Sequence, residues 1–356
     1  MLYLKKALFI FFITVVLTLA IVVGLTHIKI EEKLHLDAPI LLTVESGSSF
    51  NQFTQRLVKE KIIETRFWLR NYVRIHRKFA NIKAGTYQIT PEQTVKSLLI
   101  MINKGAEHQF SITFVEGTSL KQWLELLAKT DNIEHRLPTI FTQGKVNQYA
   151  VSYVNDEKKE KALQALAQQF NIDAVSPEGY FYPDTYAFSA GDSDVDILQR
   201  AHNKMLVVLD KLWLNRNPNL PYENKQQALT MASIIEKESG EYAEQDIIAS
   251  VFINRLDKKM RLQTDPTVIY GLGERYQGDI KSKHLREVNQ YNTRKIKGFP
   301  LTPIAMPGEH ALQAAFYPAS SDYLYFVSNG KGQHVFSKTL KAHNAAVKLY
   351  LKHLKK

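Results

Sequence analysis

The chain of 356 residues contains no cysteine. That excludes a disulfide framework, a thiolate zinc site, an iron–sulfur cluster and a cysteine nucleophile. It leaves the compartment open, because a chain without thiols is indifferent to redox conditions. The 11 histidines are scattered, and none forms the HExxH pair that sets two ligands on one helix face. No metal and no cofactor are expected. A glycine-rich phosphate cradle is missing too, since Gly271-Leu272-Gly273 lacks both the further glycine and the lysine. So is the G-x-S-x-G nucleophile elbow. With 45% hydrophobic and 23% charged residues, wholesale disorder is excluded as well.

Negative charge is the scarcer sign: 46 Lys plus Arg against 35 Asp plus Glu leave a formal charge of +11. Such a balance suits an anionic partner, whether nucleic acid, a membrane surface or an acidic polymer. Charge of either sign is absent from Ala7 to Leu25, where only Thr14 and Thr18 interrupt the apolar run. As a helix this stretch would span roughly 28 Å, close to the hydrocarbon thickness of a bilayer. The residues that follow, THIKIEEK, offer no small-residue cleavage site, so an uncleaved anchor is expected in place of a signal peptide. Lys5, Lys6 and the terminal amine before the span nearly tie with Lys29 and Lys33 after it, so charge counting leaves the orientation open. With so few residues ahead of the span, the functional body is expected on its far side. If the amino end is cytoplasmic, nucleic acid is out of reach.

Residues 27–40 read as a polar stalk. A strand at Leu41–Val44 leads into an amphipathic helix carrying Phe50, Phe53, Leu57 and Val58. A second helix is expected near Thr65–Ile75, with Phe67, Trp68, Tyr72 and Val73 as a core face and the arginines solvated. A strand in IKAGTYQIT and a helix from Thr94 to Asn103, closed by Gly105, complete a strand–helix–helix–strand module of compact size. Beyond it come a strand at Ser111–Val115, a capped helix in EGTSLKQWLELLAKT, a charged helix over 153–170 and helices over 193–213, 225–239 and 243–257. The Gly/Pro-rich stretch from LQTDPTVIYGLG to GFPLTPIAMPG reads as loop and short strand. A helix at 309–316, a hairpin over Asn329-Gly330 and a basic helix, His343–Lys355, close the chain. The fold class is α+β.

Chemistry concentrates in ALTMASIIEKESG, 228–240, an apolar helix into which Glu236 and Glu238 intrude near its end. Glu236 shares a face with Leu229, Ala232 and Ser233; Glu238 stacks with Met231, Ile234 and Ile235. At least one carboxyl is expected in a partly dry site, where low dielectric and the helix C-terminus both disfavour its charged form. A carboxyl that keeps its proton near neutrality is suited to general-acid work. The alternative is that one Glu pairs with Lys237 while the helix simply packs. Gln263, Thr264, Asp265, Tyr270, Tyr291 and Asn292 gather on the segments that follow, as groups that bind a sugar would, or as ordinary turn residues do. The basic aromatic stretch RFWLRNYVRIHRK, 66–78, is the feature that best fits a nucleic-acid binder instead.

The segments EGYFYPDTY, ASIIEKES, VFINRL, RLQTDPTVIYGLG, YNT, GFPLTPIAMPG and LYFVSNGKGQHVFS, in that order, closely resemble the endolytic murein transglycosylases of the MltG, or YceG-like, family. The resemblance runs from about residue 40 to the C-terminus, and the single amino-terminal anchor agrees with it. It departs at Arg294, where the family has YNTY, and at Leu301, where GLPPGPI loses a proline.

The resemblance implies a cytoplasmic segment 1–6, a transmembrane anchor 7–27, a stalk 28–40, a LysM-like βααβ module 41–105 and a mixed α+β catalytic domain 106–356. It implies a single-pass inner-membrane protein with a periplasmic catalytic domain that cleaves glycan strands of peptidoglycan as a lytic transglycosylase. It assigns the acid/base role to Glu236; Ser233, Glu238, Gln263, Thr264, Asp265, Tyr270, Tyr291 and Asn292 are candidate substrate contacts read from their residue types and places beside it. Glycan strands are the implied partner, with cell-wall synthases such as penicillin-binding proteins beside them, and no nucleic acid. A non-catalytic peptidoglycan-binding scaffold is the alternative.

Overall fold

A computed structural model describes residues 2–137 and 157–354, which separate into two compact units: Met1–Phe110 with Ala187–Gly191, and Ser111–Tyr186 with Asp192–Lys356.

The first unit opens with helix α1 (Leu2–Ile30), whose apolar stretch lies largely exposed and is long enough to cross a membrane. The helix runs on past the apolar run, and residues 28–40, read from the sequence as a stalk, are folded into the unit. Ile30 and Leu34 enter its core, Leu34 N–H donates to Gln93 O (2.8 Å), and His35 N–H donates to Ile62 O (3.0 Å). Strand β1 (Ile40–Val44) pairs antiparallel with β2 (Gly85–Ile89), Leu42 facing Tyr87.

Between the strands lie α2 (Phe50–Lys59) and α3 (Arg66–Ile75), and α4 (Val95–Lys104) follows β2. Each helix starts where a hydroxyl replaces a missing intrahelical partner: Ser49 accepts from Gln52 N–H, Thr65 from Phe67 N–H and Thr94 from Ser97 N–H. Gly105, at φ 72°, ends α4 in the left-handed conformation that glycine adopts at little cost. Phe67 is not on the core face of α3 as its spacing suggested. It is 51% exposed, because the buried stripe is Leu69, Tyr72 and Val73.

The second unit is built around one helix. Strand β3 (Phe110–Thr113) pairs with β4 (Thr185–Phe188), and α5 (Leu120–Ala128) and α6 (Glu157–Gln169) lie between them in sequence. The start of the charged helix expected over 153–170 lies outside the described residues. After α7 (Asp194–Leu214) comes α8 (Lys225–Glu238), where every residue from Ala228 to Ile235 is buried. It is walled by α7, α9 (Tyr242–Asp257), α10 (Asp265–Leu272) and α12 (Glu309–Phe316).

The Gly/Pro-rich stretch expected to be loop and short strand contains α10 and a short helix α11 (Ser282–Arg286) instead. Pro266 sits in the first turn of α10, where its missing N–H costs nothing, and Gly273 closes the helix at φ 53°. The hairpin of β5 (Tyr325–Ser328) and β6 (His334–Ser337) precedes the final helix α13 (Leu340–Leu354). Arg255 in α9 pins that hairpin: its Nε–H donates to Leu324 O and Nη1 to Leu262 O, both at 2.7 Å.

Candidate active site

Helix α8 is buried from Ala228 to Ile235 and then emerges, leaving Glu236 half-buried and Lys237 exposed before Ser239 turns extended and ends it. A long apolar helix therefore delivers a carboxyl to the boundary between core and solvent. Two loops close around that carboxyl. Gly117 N–H donates to Met306 O (2.8 Å) and Met306 N–H to Thr118 O (2.9 Å), so residues 117–118 and 306 are zipped together. From one loop, Gly308 N–H donates to Glu236 Oε2 at 2.9 Å. On the other, Gly117, at φ 72°, leaves Glu236 Oε1 only 3.4 Å from where a β-carbon would stand. Lys237 Nζ donates to Gly117 O at 2.9 Å and holds the same loop from the solvent side.

A second carboxylate completes the cluster. Glu116 Oε1 accepts from Tyr242 Oη at 2.6 Å, and the Tyr242 ring stacks on His310 with centroids 4.3 Å apart. Gly308 has no side chain where Glu116 Oε2 runs; a β-carbon there would overlap it. Burial raises the pKa of Glu236 above the usual carboxyl range, the Gly308 N–H bond opposes this, and the like charge of Glu116 adds to the rise. Lys237 and His310 pull the other way more weakly.

Glu238 belongs to a separate cluster. Thr264 Oγ1 donates to its Oε1, and burial, against that bond, pushes its pKa up to about 7. Next to Thr264, Asp265 Oδ1 accepts from Arg294 Nε (2.8 Å) and Nη2 (2.6 Å), so the residue that departs from YNTY is anchored to an acid. Gln263, at φ 55°, donates its backbone N–H to Thr293 O at 3.2 Å and accepts from Arg255 Nη1 at 3.4 Å.

The remaining candidates are engaged inside the protein. Ser233 Oγ donates to Thr230 O and accepts from Ile304 N–H (3.0 Å). Tyr291 Oη meets Thr302 Oγ1 at 3.0 Å, and Asn292 Nδ2 donates to Glu287 O at 2.6 Å; both residues are buried. Tyr270 donates to Glu178 Oε2 at 3.1 Å, while Glu178 Oε1 accepts the first N–H of α5, from Leu120, at 2.9 Å. Glu178 is buried, and desolvation outweighs those bonds and lifts its pKa to about 7.

A groove of about 600 Å³ leads away from Gly117 and Lys237, with Gln122, Ile269, Tyr270 and Tyr276 on its walls. It offers apolar and aromatic surface near a carboxyl whose pKa is raised. Among the described residues, no group of His, Asp and Glu is arranged to hold a metal ion.

The structure thus brings Glu236 together with Glu116, Gly117, Tyr242, Gly308 and His310, none of which the sequence reading singled out. Glu178 was missed too, although it sits inside EGYFYPDTY. The available signal was Glu-Gly, at 116–117 and again at 178–179, and Pro-Gly-Glu at 307–309, glycines set beside acids near the ends of elements.

Residues 42–349 match the YceG-like family. The chain is 32% identical over 315 residues to the endolytic murein transglycosylase of Bacillus subtilis (strain 168), a match covering 87% of this chain and 84% of that protein. It is 23% identical over 310 residues to the endolytic murein transglycosylase of Streptococcus pneumoniae serotype 2, covering 82% of this chain and 54% of the longer relative. A solved structure of a YceG-like protein from Listeria monocytogenes aligns over 86% of this chain and 98% of its own, with 31% identity and a TM-score of 0.50.

Proposed function

The chain belongs to the YceG-like family, and from that premise we propose that it is an endolytic peptidoglycan transglycosylase in which Glu236 is both acid and base. The substrate bond is the β-1,4 link from N-acetylmuramic acid to N-acetylglucosamine inside a glycan strand. Glu236, whose hold on a proton burial and the charge of Glu116 strengthen, gives that proton to the glycosidic oxygen as the bond breaks. As carboxylate it then takes the proton of the muramic acid C6 hydroxyl, whose oxygen closes on the anomeric carbon to form the 1,6-anhydro ring. The proton returns to Glu236, and no water is consumed.

A hydrolase would pair the acid with a nucleophilic or water-activating carboxylate. Here the attacking hydroxyl belongs to the sugar itself, so proximity takes over that role. The observation that carries this reading is the carboxyl of Glu236, half-buried at the end of α8, fixed by one backbone N–H from Gly308 and set beside a groove with aromatic walls. Helix α1 supports a single-pass anchor, and the β1–β2 module supports a LysM-like glycan contact.

The test is the chemical end of the product. Glu236→Gln should keep the fold and glycan binding and abolish 1,6-anhydro ends in mass spectra of digested sacculi. Glu238→Gln should still form them. Unchanged anhydro products from Glu236→Gln would sink the assignment, and reducing ends from the unaltered protein would make it a hydrolase.

A further inference from the structure

We propose that the basic aromatic face of α3 docks on anionic phospholipid headgroups of the bilayer that α1 spans. The inference rests on the reading of α1 as a membrane anchor. The apolar run of α1 ends at Leu25, and His27, about 3 Å further along the axis, lies edge-on to Tyr72 (5.7 Å) and His76 (5.8 Å). Thr26 and Ile30 are buried and Val22 partly so, one stripe of α1 that packs on this unit. The headgroup layer is only about 5–8 Å deep on each side, so the C-terminal half of α3 lies within reach of the headgroups.

What α3 presents outward suits that depth. Its buried residues are Leu69, Tyr72 and Val73. Phe67 and Ile75, each 51% exposed, and the exposed Arg70 and Arg74 face solvent, with exposed Arg77 and Lys78 in the turn that follows and Trp68 set edge-on to Phe67 at 4.9 Å. No carboxylate among the described residues forms an ion pair with Arg70, Arg74 or Arg77. Unpaired cations interleaved with exposed aromatic and aliphatic side chains, next to a spanning helix, match a surface of phosphate headgroups over acyl chains. The same features could attract a nucleic acid, but α1 ties this face to lipid.

The absence of native cysteine makes the test clean. Single spin labels are placed on the full chain at Val16→Cys, Gln55→Cys and Ile75→Cys, and their relative access to oxygen and to a water-soluble nickel complex is measured in nanodiscs. The expected result is lipid depth at 16, water at 55, and headgroup depth at 75 in phosphatidylglycerol discs, moving toward water in phosphatidylcholine discs. Replacing Arg70, Arg74, Arg77 and Lys78 by Gln should remove that lipid dependence. Water at 75 in phosphatidylglycerol, with 16 still in lipid, overturns the inference alone; water at 16 overturns the anchor and the inference with it. Water at 75 combined with salt-sensitive retention of the chain on duplex DNA reassigns the face to nucleic acid.

Discussion

The backbone N–H of Gly308 donates to Oε2 of Glu236 across 72 positions of sequence, at 2.9 Å. The same residue leaves open the space that the Glu116 carboxylate occupies. One glycine therefore orients the proposed acid and admits the charge that helps it keep its proton.

Gly308→Ala should separate these roles from folding. The backbone there, at φ −80°, accepts alanine, so the new methyl must displace Glu116 and break its bond to Tyr242. Melting temperature should change by the equivalent of about 1 kcal/mol or less, because the displaced group is the end of a flexible side chain. Turnover should fall on the order of 10²-fold, the usual consequence of moving a group in a reacting site by about an ångström. Thermal denaturation and release of anhydro fragments from glycan, run side by side, check both.

Glu116→Gln should move the pH profile. The like charge of Glu116 favours the protonated form of Glu236, so its removal lowers that pKa. The alkaline limb of kcat/KM should shift to lower pH and activity near neutrality should drop, while the rate on the acid side is largely retained. A limb that stays in place would show that burial alone sets the proton affinity.

Glu178 links stability to pH. Its carboxyl, with a folded-state pKa raised to about 7, holds a proton that the unfolded chain gives up at the ordinary carboxyl value. Its stabilisation is complete below that ordinary value and is lost as pH rises through about 7, a change of roughly 3 kcal/mol. Glu178→Gln can keep both bonds, accepting from Leu120 and donating to Tyr270. Its melting temperature should fall less than that of the unaltered chain between about pH 5 and pH 8.

Arg294→Tyr, which restores the YNTY pattern, should cost less than about 1 kcal/mol, because the pair with Asp265 is partly exposed and screened. Denaturant titration of the two chains in parallel gives the difference.

Several of these features were open to a linear reading because they are local. The apolar run of α1 shows itself in consecutive residues, and α8 in the periodicity of 225–238. The two acids that interrupt α8 were singled out for the same reason: carboxyls in an apolar helix contradict their neighbours. Misreadings came where a local signal has two meanings. Pro266 and Gly271 looked like breakers, yet proline in a first turn starts α10. Phe67 looked like core by spacing, yet the face of α3 turned inward is set by Leu69, Tyr72 and Val73.

By itself the sequence determined that this is an α+β chain without thiol chemistry, with an apolar span at its start and two candidate acids on one helix. Only the tertiary structure decided between their surroundings. Glu236 meets Gly308 and Glu116, while Glu238 turns to Thr264 and the Asp265–Arg294 pair. The physical reason is separation along the chain. Glu116 and Tyr242 are 126 positions apart, and the loop that carries Glu116 is held beside the end of α8 by backbone bonds to Met306 and by Lys237. Adjacent residues on a helix point about 100° apart, so a two-residue step sends two identical carboxyls into different environments. Which of those holds the proton for chemistry is a property of the packing around them.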